Sequence, residues 1–555
     1  MKKKITFYII TLFTLLTCNE IFSQDYVLEI TSKNDKEKSV LKEIKYTTHH
    51  KDTNSLNNEI KIISNILKNK GYFTNLVRTI KKKDKRSIAY FSLQNKITEA
   101  VLKIEPDQAN LFSEYNIKED TLIIPINKLK KLLSKITLKL DQQGKSFSKI
   151  RLQNISIKNE ILFAELKISQ STKRNIQKVI IKGYEEFSKS YIKNYFNISP
   201  NTLFNQQKIN QISSLTKNLN FIKEIKEPEV LFTKDSTILY MYLKKVQTNN
   251  FDGILNLSSK ENGDIIFNGN INLELINTLN KGEEFNIFWN SIGEDTQELK
   301  LFTKTPYIFN SKISPEVSFS IYKQDSSYIN SKIETQINYN LNNYIKLGLN
   351  YNSESSSTLT SENTLTNQES FTNSFIGINF SYAKPKNDSF FNNKLYLELT
   401  PFLGHRKANH IFSSQIKIKT KASYIWDINS RNNVYIKNEF GYLLSDNYLN
   451  NELFRIGGAN SIRGYTEQSI FTKNYNFFNL EYRHLTSDKS YIYSISDIGT
   501  AKINKTNTTL IGLGFGYLFT TNNSQINIST IGSKSNSKTI DFKNIKLLIG
   551  WKNFF

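Results

Sequence analysis

At 555 residues, with 38% apolar content and a mean hydropathy of −0.44, the chain is long enough for several domains. Its only apolar run, from Ile5 to Thr17, is too short to cross a bilayer as a helix, so any crossing has to be made by strands. The 74 Lys and Arg against 50 Asp and Glu leave a net charge of +24, and Cys18, the single cysteine, excludes an internal disulfide.

The run from Ile5 to Thr17 follows Lys2, Lys3 and Lys4 and precedes small residues near Ser23, the pattern of a secretory signal peptide over residues 1–24. Leu15-Leu16-Thr17-Cys18 is close to a lipoprotein cleavage box, but threonine before the cysteine fits it poorly, and Cys18 is expected to leave with the leader. Residues 25–248 hold 41 basic and 23 acidic residues, a balance of +18, whereas 249–555 hold 30 and 26, a balance of +4. Such an excess could attract acidic headgroups or client chains, but abundant Lys, Asn and Ile throughout point rather to a composition bias of the source. Nucleic acid is not expected as a partner, since no reading motif is present.

Residues 25–248 alternate helical and extended patterns in units of about 75 residues, a weak internal repeat. In the first, Ile60, Ile63, Ile66 and Leu67 form a helical stripe ended by Gly71, and strands follow near Asn75 to Ile80 and Ser87 to Leu93. The second has a helix from Ile126 to Gln143 ended by Gly144, strands near Phe147 to Ile157 and Ile161 to Ile168, and an irregular start between Ala100 and Pro125. The third reads strand (Val179 to Tyr184), two helices (Ser188 to Tyr195, Asn205 to Leu219) and two strands (Phe221 to Ile225, Ser236 to Val246).

From Asn249 the texture becomes alternation of apolar and polar residues, as in Phe375 to Tyr382. Such strands turn one face to hydrocarbon and the other to a wet interior, and only a closed barrel leaves no unpaired backbone in a bilayer. Sixteen strands are expected, beginning near 250, 264, 283, 297, 311, 328, 344, 371, 391, 411, 432, 474, 489, 508, 524 and 543. The long segments Ser353 to Ser370 and Asp446 to Lys473 follow the seventh and eleventh strands, on one side by parity. Gly512, Gly514 and Gly516 share a face: turned to the lumen they leave room for a folded-in loop, and they equally fit a curved or flexible strand. In the last strand Ile545, Leu547, Ile549, Trp551 and the terminal Phe555 share one face, interrupted by Asn553, with Gly550 opposite.

Arg455 to Arg483 is the most informative stretch. Its Ile462-Arg463-Gly464-Tyr465 resembles the (Val/Ile)-Arg-Gly-(Phe/Tyr) loop tip of the BamA/TamA superfamily, outer-membrane barrels that assemble or secrete other proteins. Glu481-x-Arg483 resembles the Glu-x-Arg pair on that family's next strand, and Ile495-Ser496-Asp497-Ile498-Gly499 its x-Asp-x-Gly segment on the strand after. The resemblance implies that Arg463 folds into the lumen and meets an acid, Asp497 or Glu481; a guanidinium offers a rigid fork to a carboxylate that lysine cannot copy. An inward Asp497 turns Ser494 and Ser496 toward lipid, which calls for a bulge or a shifted register. The third amino-terminal unit resembles the polypeptide-transport-associated (POTRA) domain, and the first two resemble it less closely. The final strand resembles the carboxy-terminal assembly signal of outer-membrane barrels, with Ile549, Gly550, Trp551 and Phe555 at the seam.

The expected fold is therefore α+β periplasmic POTRA-like domains (25–98, 99–171 and 172–248) followed by an all-β transmembrane antiparallel barrel of sixteen strands over 249–555. The resemblance implies residence in the bacterial outer membrane, with unfolded client proteins, lipids and periplasmic or lipoprotein accessory subunits as partners. A two-partner-type secretion pore is the alternative, although that group has two POTRA domains and an amino-terminal plug helix. A passive channel or surface-binding barrel is the alternative of another class. No Gly-x-Ser-x-Gly elbow, His-Glu-x-x-His helix or phosphate loop occurs, and His49-His50 has no further ligands at metal spacing. Neither an enzyme nor a cofactor or metal site is expected.

Overall fold

The computed structural model describes residues 26–555 except 235, 260–264, 293–295, 360–366, 387, 389, 504–505 and 536–544; the expected leader over 1–24, with Cys18, lies outside them. The chain divides into two compact units. One reaches Asn175 and also takes in Leu203–Gln207; the other holds the remainder, including the barrel.

The first sheet has the order β2-β1-β4-β3 and is built from β1 (Tyr26–Ser32), β2 (His49–His50), β3 (Leu76–Lys83) and β4 (Arg86–Ser92). Helix Thr53–Asn69 starts at a capping box, in which Asp52 accepts the Ser55 N–H at 2.7 Å, and lays Leu56, Ile60, Ile63 and Leu67 on Ala89 and Phe91. It stops at Gly71, whose φ of +103° suits a residue without Cβ. The second sheet, β6-β5-β8-β7, consists of β5 (Glu99–Ile104), β6 (Thr121–Pro125), β7 (Lys149–Lys158) and β8 (Ile161–Ser169), covered by helix Ile126–Gln142. The segment read as irregular thus holds two strands. Ala100, Leu102 and Ile104 alternate inward, but the run is six residues long and leads into a 3-10 turn at Pro106–Phe112 where a helix would be sought.

The third domain contains β9 (Asn175–Ile176), β10 (Lys178–Lys182), β11 (Thr202–Leu203), β12 (Ile222–Phe232) and β13 (Thr237–Lys245), with helices Lys189–Asn194 and Gln206–Thr216. In all three domains the first long strand runs parallel to the last: β1 to β4, β5 to β8 and β10 to β13. One edge of each sheet, β3, β7 or β12, has a register shift; the opposite edges are β2, β6 and β10.

Sixteen antiparallel strands close the barrel. They are β14 (Asn250–Ser259), β15 (Ile265–Ile276), β16 (Glu284–Ser291), β17 (Gln297–Lys304), β18 (Ile313–Gln324), β19 (Tyr328–Asn340), β20 (Ile345–Thr358), β21 (Phe371–Pro385), β22 (Asn393–Ala408), β23 (Ile411–Asp427), β24 (Asn432–Ser445), β27 (Asn474–Ser487), β28 (Ser490–Ile503), β29 (Thr506–Thr520), β30 (Ser524–Ser535) and β31 (Lys546–Phe554); the short β25 (Phe454–Ile456) and β26 (Ile470–Thr472) lie in the loop between β24 and β27. Each barrel strand starts within three residues of its expected position. The wall is inverted relative to a soluble core: Ile376, Ile378, Leu403 and Phe515 are exposed, while Asn330, Asn352, Asn379 and Asn433 are buried inside. That inversion suits hydrocarbon outside and water within. No described helix is long and apolar enough to cross a membrane.

The wall is uneven. β16 and β17 have 8 residues each, whereas β22 and β23 have 16 and 17. At ~3.4 Å per residue that is roughly 27 Å against 55 Å of strand. The seam between β14 and β31 is paired from Asn250↔Phe554 to Leu257↔Leu547.

The third domain is fastened to barrel turns. The Tyr184 hydroxyl donates to Asn280 Oδ1 at 2.7 Å and accepts from Asn277 Nδ2 at 3.0 Å. Tyr191 meets Tyr307 edge to face at 5.0 Å and packs on Gly282, where an added Cβ would lie 2.4 Å from its ring. Burial holds the Tyr191 phenol well above its usual pKa, so it stays a neutral packing group. Tyr191→Ala should remove about 3–5 kcal/mol of packing there. Tryptic cleavage at Lys245 and Lys281 should accelerate while the barrel stays folded; an unchanged rate would show that Tyr191 holds nothing in place.

Candidate functional site

The 446–473 loop springs from the mouth opposite the turns that hold the third domain, and it turns back into the lumen. Ile462 is fully buried with Ile456, Ile470, Phe477, Ala501 and Leu510, an apolar anchor inside a polar interior. Beside it Arg463 reaches the wall. Its Nε and Nη2 donate to Asp497 Oδ2 and Oδ1 at 2.9 and 2.7 Å, and its backbone N–H donates to Oδ2 at 2.8 Å. Nη1 donates to Glu481 Oε1. The other Glu481 oxygen accepts Arg483 Nε at 2.7 Å, and the Arg483 guanidinium lies 4.1 Å from the Tyr435 ring centre and 4.4 Å from that of Phe391. Two guanidinium groups and two carboxylates thus alternate in a neutral row, with Asp497 1% exposed. Fork-to-carboxylate pairing of this kind is directional and strong where water is scarce.

The wall is shaped to receive the loop. Gly512 faces inward, and a Cβ there would lie 2.2 Å from the Arg463 carbonyl oxygen. Gly464, at φ +92°, packs on β30, where a Cβ would lie 2.8 Å from that of Ser533. Next to it the Tyr465 hydroxyl accepts the Ile511 N–H at 2.9 Å and donates to the Lys534 carbonyl, inserting among backbone groups of β29 and β30. Gly499 faces inward behind Phe477, with 2.6 Å between a notional Cβ and that of Phe477.

Ser494 and Ser496 do face outward with Asp497 inward, yet no bulge accompanies them: pairing of β27 with β28 keeps one register from Tyr475↔Ala501 to Leu485↔Tyr491. The Ser494 hydroxyl is occupied by the Tyr482 N–H at 3.0 Å, which makes an outward serine tolerable. At the seam, Trp551 lies on the outer face against Phe251 at 6.1 Å, with Ile549 two residues before it. Gly550 faces inward near Asn527 and Ile254, and the Phe555 N–H donates to the Asn249 carbonyl at 2.9 Å. These seam residues are separate from the Arg463 row.

Other contacts of the loop were not signalled by any motif. Arg455 stacks 3.5 Å from the Tyr322 ring centre, and Gln468 donates to Glu298 at 2.6 Å, carrying the loop across to β17 and β18. Arg406 pairs with Glu452 beneath the loop's start. Their partners are 46 to 170 positions away in the chain, so no local spacing reveals them.

Residues 175–244 match the family model described as POTRA, surface antigen variable number repeat. No curated protein matches the chain. Among solved structures, BamA from Haemophilus ducreyi lacking POTRA domains 1-3 superposes with a TM-score of 0.50 at 12% identity, covering 81% of this chain and 98% of that one. CdiB from Acinetobacter baumannii gives 0.50 at 12% identity, covering 89% and 97%, and CdiB from Escherichia coli 0.51 at 12% identity, covering 89% and 98%. The chain has the BamA and CdiB fold. In this BamA/CdiB-type barrel the lumen keeps a cavity of about 520 Å³ lined by Lys300, Glu316, Glu334, Glu398, Lys419 and Glu439, charged in both signs.

Gly512→Val would force a side chain into the Arg463 carbonyl. Overpacking of this kind costs about 1–3 kcal/mol. The seated loop should loosen, read as faster tryptic cleavage after Arg455 and Arg463; a cleavage rate equal to that of the parent would show that the loop does not depend on that glycine.

Proposed function

We propose that this protein is an outer-membrane assembly or translocation factor, with its amino-terminal domains in the periplasm. Extended client chains pair with sheet edges of those domains and then with the barrel seam. The observation that carries the reading is the loop held inside a closed barrel by Arg463, Asp497 and Glu481, beside the family's loop-tip motif. A lumen crossed by a locked loop is poorly suited to passive conduction, which weighs against the channel reading.

Features of the wall support assembly over secretion. β31 at the seam has 9 residues, and β16 and β17, the third and fourth strands of the barrel, have 8 each, so the bilayer on that side has to thin or bend to meet them. A client strand at that seam gains backbone hydrogen bonds that lipid cannot supply. Three α/β sheets precede the barrel, where the two-partner secretion group has two domains. Of the edges β3, β7 and β12, the last is the poorest template, since Pro228 and two register shifts interrupt it; β3 and β7 have one shift each. Free energy comes from client folding and burial, without a nucleotide.

Depletion of the protein should lower the abundance of other outer-membrane barrels. Normal barrel levels with one secreted protein accumulating in the periplasm would overturn assembly in favour of secretion. In a strain dependent on the protein, Arg463→Ala leaves Asp497 and Glu481 short of a partner, a loss of about 3–5 kcal/mol. Growth should fail at protein levels that suffice for the parent, and Arg463→Lys should rescue poorly because an ammonium lacks the fork; full growth of either variant would count against the lock.

A further inference from the structure

The outer wall is not evenly filled. Where β27 to β30 approach the turns on the third-domain side, it carries a groove of about 550 Å³, within the ~300–1,000 Å³ range of small-molecule sites. Tyr482, Phe515 and Tyr517 stand up around it, Phe515 being 70% exposed. Ser494 and Thr530, both small, lie opposite Phe515 on the strands to either side of it. A barrel wall is convex, so a hollow in it needs such an arrangement of short side chains beside long ones.

The ladder is also interrupted here. Glu481 and Tyr482 lie opposite Ile495 and Ser494, yet these two pairs are missing between Leu480↔Ser496 and Arg483↔Tyr493. The Tyr482 N–H goes to the Ser494 hydroxyl at 3.0 Å, on the floor of the groove. Hydrocarbon chains are as apolar as the wall, so burial from water holds nothing in place inside a bilayer; packing contact does. A chain lying in a hollow is touched on three sides, whereas one on a convex wall is touched on one.

Polar groups mark one end of the groove. The Tyr482 hydroxyl donates to Asn432 Oδ1 at 2.8 Å, and His484 Nδ1 lies 2.7 Å from the same oxygen. Beyond them two exposed cations stand on neighbouring turns. Arg431 adjoins β27, its carbonyl accepting the Leu485 N–H at 2.8 Å, and Lys489 adjoins β29, its carbonyl accepting the Thr520 N–H at 2.7 Å. Lys489 Nζ reaches only Asn522 Oδ1, at 3.4 Å. Of the nearby acids, Asp427 is held by Lys386 and Lys394, which leaves Asp488 beside Lys489. The turns therefore present a net positive charge at the level where headgroups lie.

We propose that this groove binds one anionic diacyl phospholipid, an acyl chain lying over Ser494 between Tyr482 and Phe515 and the phosphate meeting Arg431 and Lys489. The covered stretch of β27 presents Glu481 and Arg483 on its other face, so the lipid backs the strand that carries part of the Arg463 row. The proposal rests on the wall facing lipid and not on which client the protein serves.

The test is photolabelling of the full chain in phosphatidylcholine vesicles that contain a minor share of phosphatidylglycerol with a diazirine in its acyl chain, the labelled sites being mapped by mass spectrometry. Labelling at Tyr482 and Phe515 should exceed that at Leu349 and Leu397, exposed residues at a like distance from the same ends of β20 and β22, by about tenfold. Uniform labelling around the wall, which bulk lipid alone gives, overturns the site. Ser494→Leu fills the hollow and should bring Tyr482 and Phe515 down to the level of Leu349 and Leu397; an excess that persists overturns it equally. Should that variant not fold, judged by its heat-dependent gel mobility, Thr530→Leu narrows the hollow from β30 and is read in the same way. With a phosphatidylcholine probe the excess in the parent should be about fivefold smaller, and Arg431→Gln together with Lys489→Gln should erase the difference between the probes. Equal excess with both probes in the parent overturns the anionic ligand. No client is present in these measurements, so their failure is distinguishable from that of the assembly reading.

Discussion

A polypeptide wall with hydrocarbon on one side cannot leave N–H or C=O groups unpaired there, since each costs several kcal/mol. Closure of β31 onto β14 meets that demand around the whole circumference. The inversion of polarity and the alternation of the strands follow from it; of the long segment read from Ser353 to Ser370, β20 claims the part up to Thr358. Closure also creates a confined, wet interior, in which charged side chains have to find partners among themselves.

The loop between β24 and β27 uses that interior twice, in different ways. Near β28 the guanidinium of Arg463 meets two carboxylates on strands that are already fixed, and the glycine face of β29 lets backbone meet backbone. Over β19 to β23 the contacts are made by Asn, Gln, Glu and Arg side chains. The tall wall of β22 and β23 contributes Arg406 and Gln415 to this second attachment.

The third domain shares this economy of contact. Tyr184 and Tyr191 reach barrel turns whose Asn277, Asn280 and Gly282 adopt positive φ, so the turns present carbonyl, amide and open space to an aromatic ring. Turn residues that look like mere punctuation in the chain are the sockets of an interdomain joint.

Local pattern carried most of the architecture. Period-two alternation located the barrel strands and loop parity located the long loop, because side-chain facing in a strand is set by the backbone itself. Helical stripes ended by Gly71 and Gly144 were legible for the same reason. The short β5 and β6 were not, since six residues hold too little periodicity to separate a strand from a loop. At the site, Arg463, Glu481 and Asp497 could be singled out from a motif, but their bond pattern, the acceptance of outward serines without a bulge and the Arg406–Glu452 pair depend on which strands closure brings face to face. Chain order alone determined a β-walled barrel behind α/β domains; the partners of its buried charges were decided by tertiary structure, because electrostatic pairing acts through space and leaves no periodic trace along the sequence.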